Sequence, residues 1–527
     1  MLEELGAAAY PAGIVRNRWA IVLAMVALAS IVTMNRLGHD ICRGNEAIEA
    51  VLLQQMVEHG QMFPLENGQS PMYMPPLFHW TALAIHKLLD LHTVTPASFR
   101  LTSALYATGS VALVSGFSYG ILGPDGAILA GLTLLGEHEF VRLGRLGRVD
   151  TTLAFYETLA LLAFLWWLRA FPEEGQTRRV GAARLYFLGI VLGLAVLAKG
   201  PIGAGLPGLA MVIFLLVERR FIQALRQLRP LPVLLSLAVA TSWYGACYLA
   251  GKQNFLHRLF DENMGHLMGW GWASMPPWFY LAPTLLSSLP LSLLVPIAVF
   301  FALFRNPPPP PYSTDDRLVA VQRRDASRLL AIYWLVALLF LSAAVYKSRW
   351  YMQPIWPASA IVLAWGVKRF AAYCKARYGF RRLETAYAAI ALLAVLTNLF
   401  MIPLEERHEC AKMSYRQTAQ AILGVVKPGE PLYAAGFVDE DAAPLLFYLH
   451  RTAPFIPANL DGAPGGYIII PARLWSPQRG TLAGFRVLLR SPHGRRQPVL
   501  LYHVASAPPA VSGGTAGGTP SRRAAPL

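Results

Sequence analysis

The chain has 527 residues, of which 55% are hydrophobic and only 14% are charged. Soluble domains carry about 25% charged residues, so this composition excludes an ordinary soluble protein and indicates one that crosses a membrane many times. The net charge of +16 does not predict nucleic-acid binding, because the basic residues fall in short clusters between apolar segments, as they do in cytoplasmic loops.

Apolar segments long enough to cross a bilayer recur from the N-terminus to residue 403. We predict an α-helical polytopic membrane protein of about 11–13 spans, with segments near 19–37, 98–120, 124–141, 150–170, 183–199, 202–218, 231–250, 279–304, 328–346, 351–368 and 383–403. Two other segments, 46–59 and 77–92, are predicted to be amphipathic helices lying in the membrane interface. The second is short and carries His79, His86, Lys87 and Asp90.

Positive charge predicts the orientation of the spans, because loops rich in Lys and Arg stay in the cytoplasm. The richest connections are 169–184, 218–229, 305–328 and 368–382. Counting from a cytoplasmic N-terminus puts them all on one side, provided that 77–92 does not cross. The periplasmic side of a bacterial inner membrane then receives the first loop 38–97, segment 142–150, loop 251–278 and everything after residue 404.

The C-terminal part of the chain is less apolar. Residues 1–403 are therefore assigned to the transmembrane domain and 404–505 to a small α/β periplasmic domain. Short strands are predicted in that domain at 430–434, 444–449, 466–470, 485–490 and 498–504. The tail 506–527 is rich in Ala, Pro, Gly, Ser and Thr and is predicted to be disordered.

The four cysteines show no metal-ligand spacing. Cys42 and Cys410 both fall on the predicted oxidising side, where a disulfide between them is one alternative. We expect two free thiols instead.

Carboxylates gather at the predicted outer face, where half-burying them near a membrane is costly. The first loop contains Asp40 and Glu46, and Asp150 opens a span after a run of arginines. The helix dipole alone favours an acid at a helix start. The catalytic alternative is that these three carboxylates orient or deprotonate a hydroxyl nucleophile. We expect Glu46 or Asp40 to be the base, with Asp150 as its orienting partner.

Three cations, Lys199, Lys347 and Arg349, lie at predicted outer junctions, where the positive-inside rule does not favour them. A lysine at a membrane edge often only extends to the interface. Three such cations would also bind the phosphate of a lipid donor, with Tyr351 as a further hydrogen-bond donor. These cations can neutralise a phosphate, so the pattern requires no divalent metal. The sequence contains no GxxxxGK[ST] loop, so a nucleotide donor is not supported.

Candidate contacts to the acceptor or to the sugar come from two places. Asn45 lies in the first loop, and Glu262, Asn263 and His266 lie in loop 251–278. The simpler alternative for the second group is that they are ordinary surface residues.

An ordered set of motifs resembles the GT-C membrane glycosyltransferases related to protein O-mannosyltransferases and to bacterial aminoarabinose lipid A transferases. The motifs are NEAIEAVLLQQMVEHG at 45–60, PPLFHW at 75–80, RLGRVD at 145–150, LAKGP at 197–201, EN at 262–263 and KSRWYMQP at 347–354. The resemblance implies a multi-span bundle with a juxtamembrane first loop and a periplasmic C-terminal domain. It also implies sugar transfer from a polyprenyl-phosphate donor to a lipid A, glycan or protein acceptor.

The chain departs from the family pattern at two positions. Asn45 stands where the family usually has the catalytic Asp, and Met74 stands where members often have Lys before the paired prolines. Either Glu46 or Asp40 supplies the acid, and Lys199, Lys347 or Arg349 the cation, or catalysis is altered or lost. The alternatives to an enzyme are a polytopic transporter or flippase and a catalytically inactive scaffold.

Overall fold

In a computed structural model of the protein, the described residues are 12–67, 70–72, 74–171, 182–269, 274–287, 289, 291–305, 314–437, 439–460, 463–472, 474, 485–490 and 498–503. The chain divides into two compact units. The first comprises Met1–Arg416 and Asp439–His450, and the second Gln417–Val438 and Arg451–Leu527. The predicted disordered tail lies outside the described residues.

The first unit is mainly helical. Its helices are α1 (Ala12–Met34), α2 (Gly44–Glu58), α3 (Leu77–Leu88), α4 (Pro96–Gly136), α5 (His138–Arg145), α6 (Val149–Leu168), α7 (Ala182–Lys199), α8 (Ile202–Val217), α9 (Phe221–Gln227), α10 (Pro230–Leu249), α11 (Gln253–Met268), α12 (Leu281–Leu286), α13 (Val295–Phe304), α14 (Thr314–Ala343), α15 (Ile355–Tyr378) and α16 (Leu383–Met413). Then come α17 (Arg416–Val425), which runs into the second unit, and α18 (Asp439–Leu449), which belongs to the first. The first loop also contains a small hairpin, β1 (Leu65–Glu66) with β2 (Ser70–Pro71), and 3₁₀ turns occur at Pro277–Tyr280, Leu291–Leu294 and Arg349–Met352.

Among the described residues, six helices are long and apolar enough to cross a membrane, or seven crossings if a bent helix pair counts as one. Every predicted span overlaps a helix, so the polytopic helical class is confirmed. The number is smaller than predicted partly because the apolar helices Arg18–Met34 and Ile202–Val217 are short. In addition, α4 contains two predicted segments.

Helix α4 breaks between those two segments. Gly123 has φ of 82° and ψ of −174°, which are not helical angles. Glycine has no Cβ, so it adopts a positive φ without steric cost. Pro124 follows and has no backbone N–H to continue the helical hydrogen bonds. The break therefore falls where the sequence analysis separated two spans.

Helix α2 is not the half-exposed interfacial helix that the sequence predicted. Residues 46–56 are all buried, and α2 packs against α3 and α18. Its polar side chains find partners inside the unit: Gln54 Nε2 donates to the carbonyl of Phe447 at 3.0 Å, and Gln55 Oε1 accepts from the N–H of Leu65 at 2.9 Å. Apolar periodicity could not show this burial, because the polar side of α2 is covered by residues that come later in the chain.

Two further predictions need correction. The predicted span 279–304 is a helix pair bent by 118°. The sequence did not show the bend, because apolarity predicts the length of a buried segment but not its straightness. The predicted loop 251–278 contains helix α11 over most of its length. Polar residues dominate α11, so hydropathy alone did not show it.

The second unit contains a five-stranded sheet in the order β4-β3-β5-β7-β6. The strands are β3 (Leu432–Ala435), β4 (Phe455–Ile456), β5 (Gly466–Pro471), β6 (Phe485–Arg490) and β7 (Pro498–His503). β3 runs parallel to β4 and β5, whereas β7 is antiparallel to β5 and β6. Apolar side chains form its core: Ala435, Leu460, Ile468, Ile470, Val499 and Leu501.

Four of the five predicted C-terminal strands are present, but 444–449 lies in helix α18. Short apolar runs do not distinguish a strand from a buried helix. The acidic residues at 439–441 lie in the first turn of α18, where the helix dipole favours negative charge.

Candidate functional site

Arg100, near the start of α4, holds the first loop in place. Its guanidinium donates to Glu46, from Nε to Oε1 at 2.6 Å and from Nη2 to Oε2 at 2.9 Å. It also donates to the backbone carbonyls of Leu37, His39 and Asp40, at 2.8, 2.5 and 3.2 Å. An arginine has five N–H donors, so Arg100 is saturated. Arg100 and Glu46 are 0% and 2% exposed, which shields the pair from water.

Glu46 is therefore committed to structure. Burial alone would raise the pKa of its carboxyl, but the charge and hydrogen bonds of Arg100, together with the N–H of Gly147, hold that pKa below its ordinary value. Gly147 donates to Glu46 Oε1 at 3.1 Å. A carboxylate stabilised in its charged form by several donors is a weak proton acceptor. The geometry argues against the expectation that Glu46 is the base.

A second buried arginine makes a similar pair. Arg145 in α5 donates to Glu406 of α16, from Nη2 to Oε2 at 2.9 Å, and to the carbonyl of Val32 at 3.1 Å. Arg145 and Glu406 are 0% and 1% exposed. His39 Nδ1 lies 3.7 Å from Glu406 Oε2, and burial followed by the charge of Arg100 lowers the pKa of this imidazole. These pairs fasten α1, the first loop, α4, α5 and α16 together.

Cys42 and Cys410 form a disulfide between the first loop and α16, so the expectation of two free thiols is wrong. The cysteines are 368 residues apart, and only the packing of α16 beside the loop brings them together. Arg43 next to the first cysteine pairs with Glu409 next to the second. The loop is thus held covalently and by an ion pair, while Cys247 and Cys374 are free and buried.

Asp40 is the more open of the two first-loop carboxylates. Its side chain is 26% exposed and accepts from Ser414 Oγ at 2.6 Å and from Arg416 Nη1 at 3.4 Å. Ser414 follows directly after α16, and Arg416 begins α17. With its side chain 26% exposed, Asp40 is more accessible than Glu46, which is 2% exposed.

Asp150 lies at the start of α6 between two cations. Arg148 donates to its Oδ2 from Nε at 3.2 Å and from Nη2 at 3.0 Å, and Lys199 at the end of α7 donates to Oδ1. The Asp150 side chain is 1% exposed, while those of Arg148 and Lys199 are 12% and 11% exposed. Gly200, with φ of 80°, ends α7 directly after the lysine in the left-handed conformation typical of helix C-termini. The structure thus brings together two residues selected from the sequence and adds Arg148.

Two consecutive aromatic rings lie against these cations. The Arg148 Cζ atom is 4.7 Å from the centre of the Trp350 ring, and Lys199 Nζ is 4.5 Å from the centre of the Tyr351 ring. An aromatic face attracts a cation through its quadrupole. The Tyr351 phenol has an O–H that can donate a hydrogen bond. Its role as a donor to a phosphate stays a prediction.

The other two predicted phosphate-binding cations have different surroundings. Lys347 is 3% exposed, and its ammonium donates to the carbonyls of Met275 at 3.1 Å and of Ala344. Burial also lowers the pKa of this ammonium. Lys347 therefore fastens the chain just after α14 to residue 275, whereas Arg349 is exposed in the turn that carries the two aromatic rings.

The contacts of the described residues do not bring the candidate acceptor-binding residues together in one place. Asn45 is half-buried at the start of α2, beside Glu46. Asn263 donates from Nδ2 to the carbonyl of Leu259 at 2.7 Å, within its own helix α11. The side chains of Glu262 and His266 lie outside the described part of the structure. Among the described residues, no group of three or more His, Cys, Asp and Glu side chains is placed to hold a metal ion.

Sequence reasoning did not assign Arg100 or Arg148. Arg100 carried a signal, since a lone arginine inside an apolar segment needs a buried partner. Arg148 stood in the RLGRVD motif, but nothing in the sequence placed it against Asp150 and Trp350 rather than against solvent.

Comparison with known proteins finds a family model and several relatives that resemble the chain. The family model for dolichyl-phosphate-mannose-protein mannosyltransferases matches residues 72–256, which is less than half of the chain. An uncharacterized protein of Aquifex aeolicus is 26% identical over 323 residues, covering 61% of this chain and 58% of its own length. An undecaprenyl phosphate-alpha-4-amino-4-deoxy-L-arabinose arabinosyl transferase 2 of Proteus mirabilis is 22% identical over 305 residues, covering 57% and 51%. The chain thus spans little more than half the length of these relatives.

A solved structure resembles the chain over nearly its whole length. ArnT from Cupriavidus metallidurans, crystallised with undecaprenyl phosphate, superposes with a TM-score of 0.74 at 17% identity, covering 93% of this chain and 99% of that one. At this identity the likeness shows a shared fold.

Proposed function

We propose that this chain, which has the fold of the GT-C membrane glycosyltransferases, transfers a sugar from a polyprenyl-phosphate donor to an acceptor hydroxyl. The resemblance predicted from the motifs is confirmed at the level of that superfamily. The transporter and inactive-scaffold alternatives are not favoured by relatives that are named transferases. The observation that carries the proposal is the cluster of Asp150 with Lys199 and Arg148 against the rings of Trp350 and Tyr351.

The chemistry of that cluster suits a phosphate leaving group. Lys199 and Arg148 supply positive charge, and Tyr351 supplies a phenolic donor, all at the junction of α6, α7 and the turn before α15. A hydroxyl nucleophile also needs a carboxylate to orient it or to take its proton. Because Glu46 is saturated by Arg100, we assign the reacting carboxylate to Asp40 or Asp150 and give Glu46 a structural role.

The chain is a multi-pass membrane protein of the inner membrane, and we place its site and its C-terminal domain on the periplasmic side. Two observations support this side. The basic connections between spans put the first loop opposite the cytoplasm. The Cys42–Cys410 disulfide joins that loop to the end of α16, and structural disulfides persist mainly in oxidising compartments such as the periplasm.

The departures at Asn45 and Met74 bear on the mechanism. The Asn45 amide cannot accept a proton as a base, but it can hold an acceptor hydroxyl. The cation absent at Met74 has replacements in Lys199 and Arg148. The acceptor is a hydroxyl of lipid A, of another glycan or of a protein.

The test is a transfer assay with protein purified in detergent. Radiolabelled undecaprenyl-phosphate sugars are supplied singly, each with lipid A, glycan and peptide acceptors, and an Asp150→Asn variant serves as the matched control. We expect one donor to be consumed at a rate that the variant lowers by about 10²–10⁴. Absence of transfer and of donor binding with every sugar would overturn the proposal.

A further inference from the structure

The Asp150 carboxylate occupies the position that an anionic ligand would take between Arg148 and Lys199. Two cations and one carboxylate leave a net charge of about +1 in the cluster. A sugar-phosphate-lipid donor is a phosphodiester and carries one negative charge. The cluster therefore has enough positive charge for the donor phosphate, but one guanidinium is already engaged by an internal anion.

We propose that Arg148 leaves Asp150 to bind the donor phosphate, and that this transfer frees Asp150 Oδ2 to accept the proton of the acceptor hydroxyl. The proposal rests on the proposed function, since it concerns the same donor. It assigns Arg148 as a donor ligand, and it makes donor binding the event that activates the base.

The backbone of Arg148 is held independently of its side chain. Its N–H donates to Ser103 Oγ at 2.9 Å, and Ser103 Oγ donates to its carbonyl at 3.2 Å. Both of its bonds to Asp150 go to the same oxygen, Oδ2. The guanidinium can therefore release that oxygen as a unit and offer the same two N–H groups to a phosphate, which arginine binds in bidentate fashion.

Asp150 would stay oriented after this exchange. Lys199 is bonded to the other oxygen, Oδ1, and its ammonium lies over the Tyr351 ring. Oδ2 alone would lose its partners. A carboxylate that loses a bidentate arginine becomes a better proton acceptor, because a nearby opposite charge favours its ionised form.

The group transfer is balanced. The acceptor oxygen forms a bond to the anomeric carbon of the sugar as the bond from that carbon to the phosphate oxygen breaks. The electron pair of the broken bond stays on the phosphate, which Arg148 and Lys199 stabilise. The proton of the acceptor hydroxyl passes to Asp150 Oδ2 and leaves to solvent after the product departs.

Binding of undecaprenyl phosphate in detergent micelles tests the exchange without turnover. We compare the parental protein with Arg148→Ala, Arg148→Lys and Asp150→Asn. The matched control is Arg142→Ala, because Arg142 is an arginine of similar exposure that pairs with Glu139 at 2.7 Å in the neighbouring helix α5. Inorganic phosphate in a parallel titration separates binding of a lipid phosphate from binding of free phosphate.

The two key variants should change affinity in opposite directions. Arg148→Ala should weaken binding about 10- to 100-fold, the range for lost hydrogen bonds to a charged group. Arg148→Lys should recover part of the lost affinity, because lysine supplies a point charge. Asp150→Asn should strengthen binding up to about fivefold, because the anion that competes for Arg148 is gone. Arg142→Ala should bind like the parent.

Each contrary outcome overturns one specific claim. Undecaprenyl phosphate is the phosphomonoester that remains when the sugar has been transferred. If the parent does not bind it, the proposed site does not hold a polyprenyl phosphate. If the parent binds but folded Arg148→Ala binds equally well, Arg148 is not a donor ligand. If Asp150→Asn weakens binding, the Asp150–Arg148 pair is a preformed part of the phosphate site and no exchange occurs. Equal affinity for inorganic phosphate would show a general anion site. Tryptophan fluorescence during the titration gives an independent check on the arginine side chain. Comparison with Trp350→Phe identifies the part of the fluorescence change that comes from Trp350. That part should be lost in the Arg148→Ala variant.

Discussion

Gly147 donates its backbone N–H to Glu46 across 3.1 Å, so the first loop touches the chain directly before the Arg148–Asp150 pair. Since Glu46 is also held by Arg100, this contact joins a saturated ion pair to the candidate donor site. The first loop therefore influences the site through the backbone at residue 147. Residues that build this arrangement can be separated by substitution from residues that react.

Glu46→Gln should reduce stability more than it reduces the intrinsic rate of transfer. Removing one partner of a buried ion pair leaves an uncompensated charge and costs about 3–5 kcal/mol. Thermal unfolding in detergent should show a large fall in the apparent transition temperature. The control is Glu139→Gln, which breaks the more exposed pair with Arg142 and should cost about 0–1 kcal/mol. A Glu46→Gln protein with parental stability and no activity would restore Glu46 as the base.

Lys199→Met and Lys347→Met should have different effects. Lys199 is assigned to the proposed phosphate site beside Asp150, so its loss should weaken donor binding about 10- to 100-fold in a protein that still folds. Lys347 donates to two backbone carbonyls and is 3% exposed, so its loss should lower thermal stability, with a smaller effect on donor affinity once the protein is folded. Undecaprenyl phosphate titrations, combined with unfolding curves, measure both. Equal loss of affinity without destabilisation would return Lys347 to the phosphate site.

Cysteine labelling should detect the disulfide. In protein denatured without reductant, a thiol-alkylating reagent should modify Cys247 and Cys374 and leave Cys42 and Cys410 unmodified. After reduction, the reagent should modify all four cysteines, and intact-mass measurement detects the difference. Modification of all four without reductant would contradict the disulfide, and a Cys42→Ser variant provides the reference mass for its loss.

The sidedness of the site can be measured with reporter fusions. Alkaline phosphatase fused after Arg416 should be active, because the basic connections and the disulfide both support the proposal that the end of α16 is periplasmic. The same reporter fused after Arg219, in a connection predicted to be cytoplasmic, should be inactive. The reverse pattern would overturn the assignment of the site to the outer face.

His450 and Glu58 should give the packing of α18 on α2 a pH dependence. His450 Nδ1 lies 3.2 Å from Glu58 Oε2. Its hydrogen bond to Glu58 raises the pKa of His450 despite burial, while bonds from His450 and the N–H of Val94 hold the pKa of Glu58 below its ordinary value although burial opposes them. The histidine contribution is complete below about pH 6.5 and is lost as pH rises through the raised pKa. The glutamate contribution is present above about pH 4.5 and is lost as pH falls.

The stabilisation from this pair should therefore be greatest between about pH 4.5 and 6.5. His450→Gln should lower the apparent transition temperature more at pH 5.5 than at pH 8.5. His92→Gln is the control, because His92 and Asp90 form an exposed pair at 3.5 Å. A His450→Gln effect that is the same at both pH values would show that the imidazole charge contributes nothing.

Much of the helical scaffold was predictable, because a membrane span can be recognised from the hydropathy of its own residues. The break at Gly123 was also visible, since a Gly-Pro pair cannot continue a helix. Burial of α2 and the helical state of 444–449 were not predictable, because both depend on partners distant in sequence. The same reason hid the Cys42–Cys410 disulfide.

For the candidate site, the residue types were predictable and their pairings were not. Asp150 was selected because it follows a run of arginines, and Lys199 because the positive-inside rule does not favour a cation on the outer face; the two lie together. Glu46 was selected because a carboxylate is costly to half-bury near a membrane, yet its partner Arg100 gives it a structural role. Lys347 shows that a buried cation can be satisfied by backbone carbonyls alone. Sequence shows that a charge needs a partner, whereas only the folded chain shows which partner it has.

Arg100 binds residues 37, 39 and 40 through their carbonyl oxygens. These hydrogen bonds do not depend on which side chains the segment carries. Gly38 between them is exposed, and a Cβ added there would meet no atom within 4 Å. The segment beside Asp40 can therefore change its surface at this position without any rebuilding of the helices that hold it.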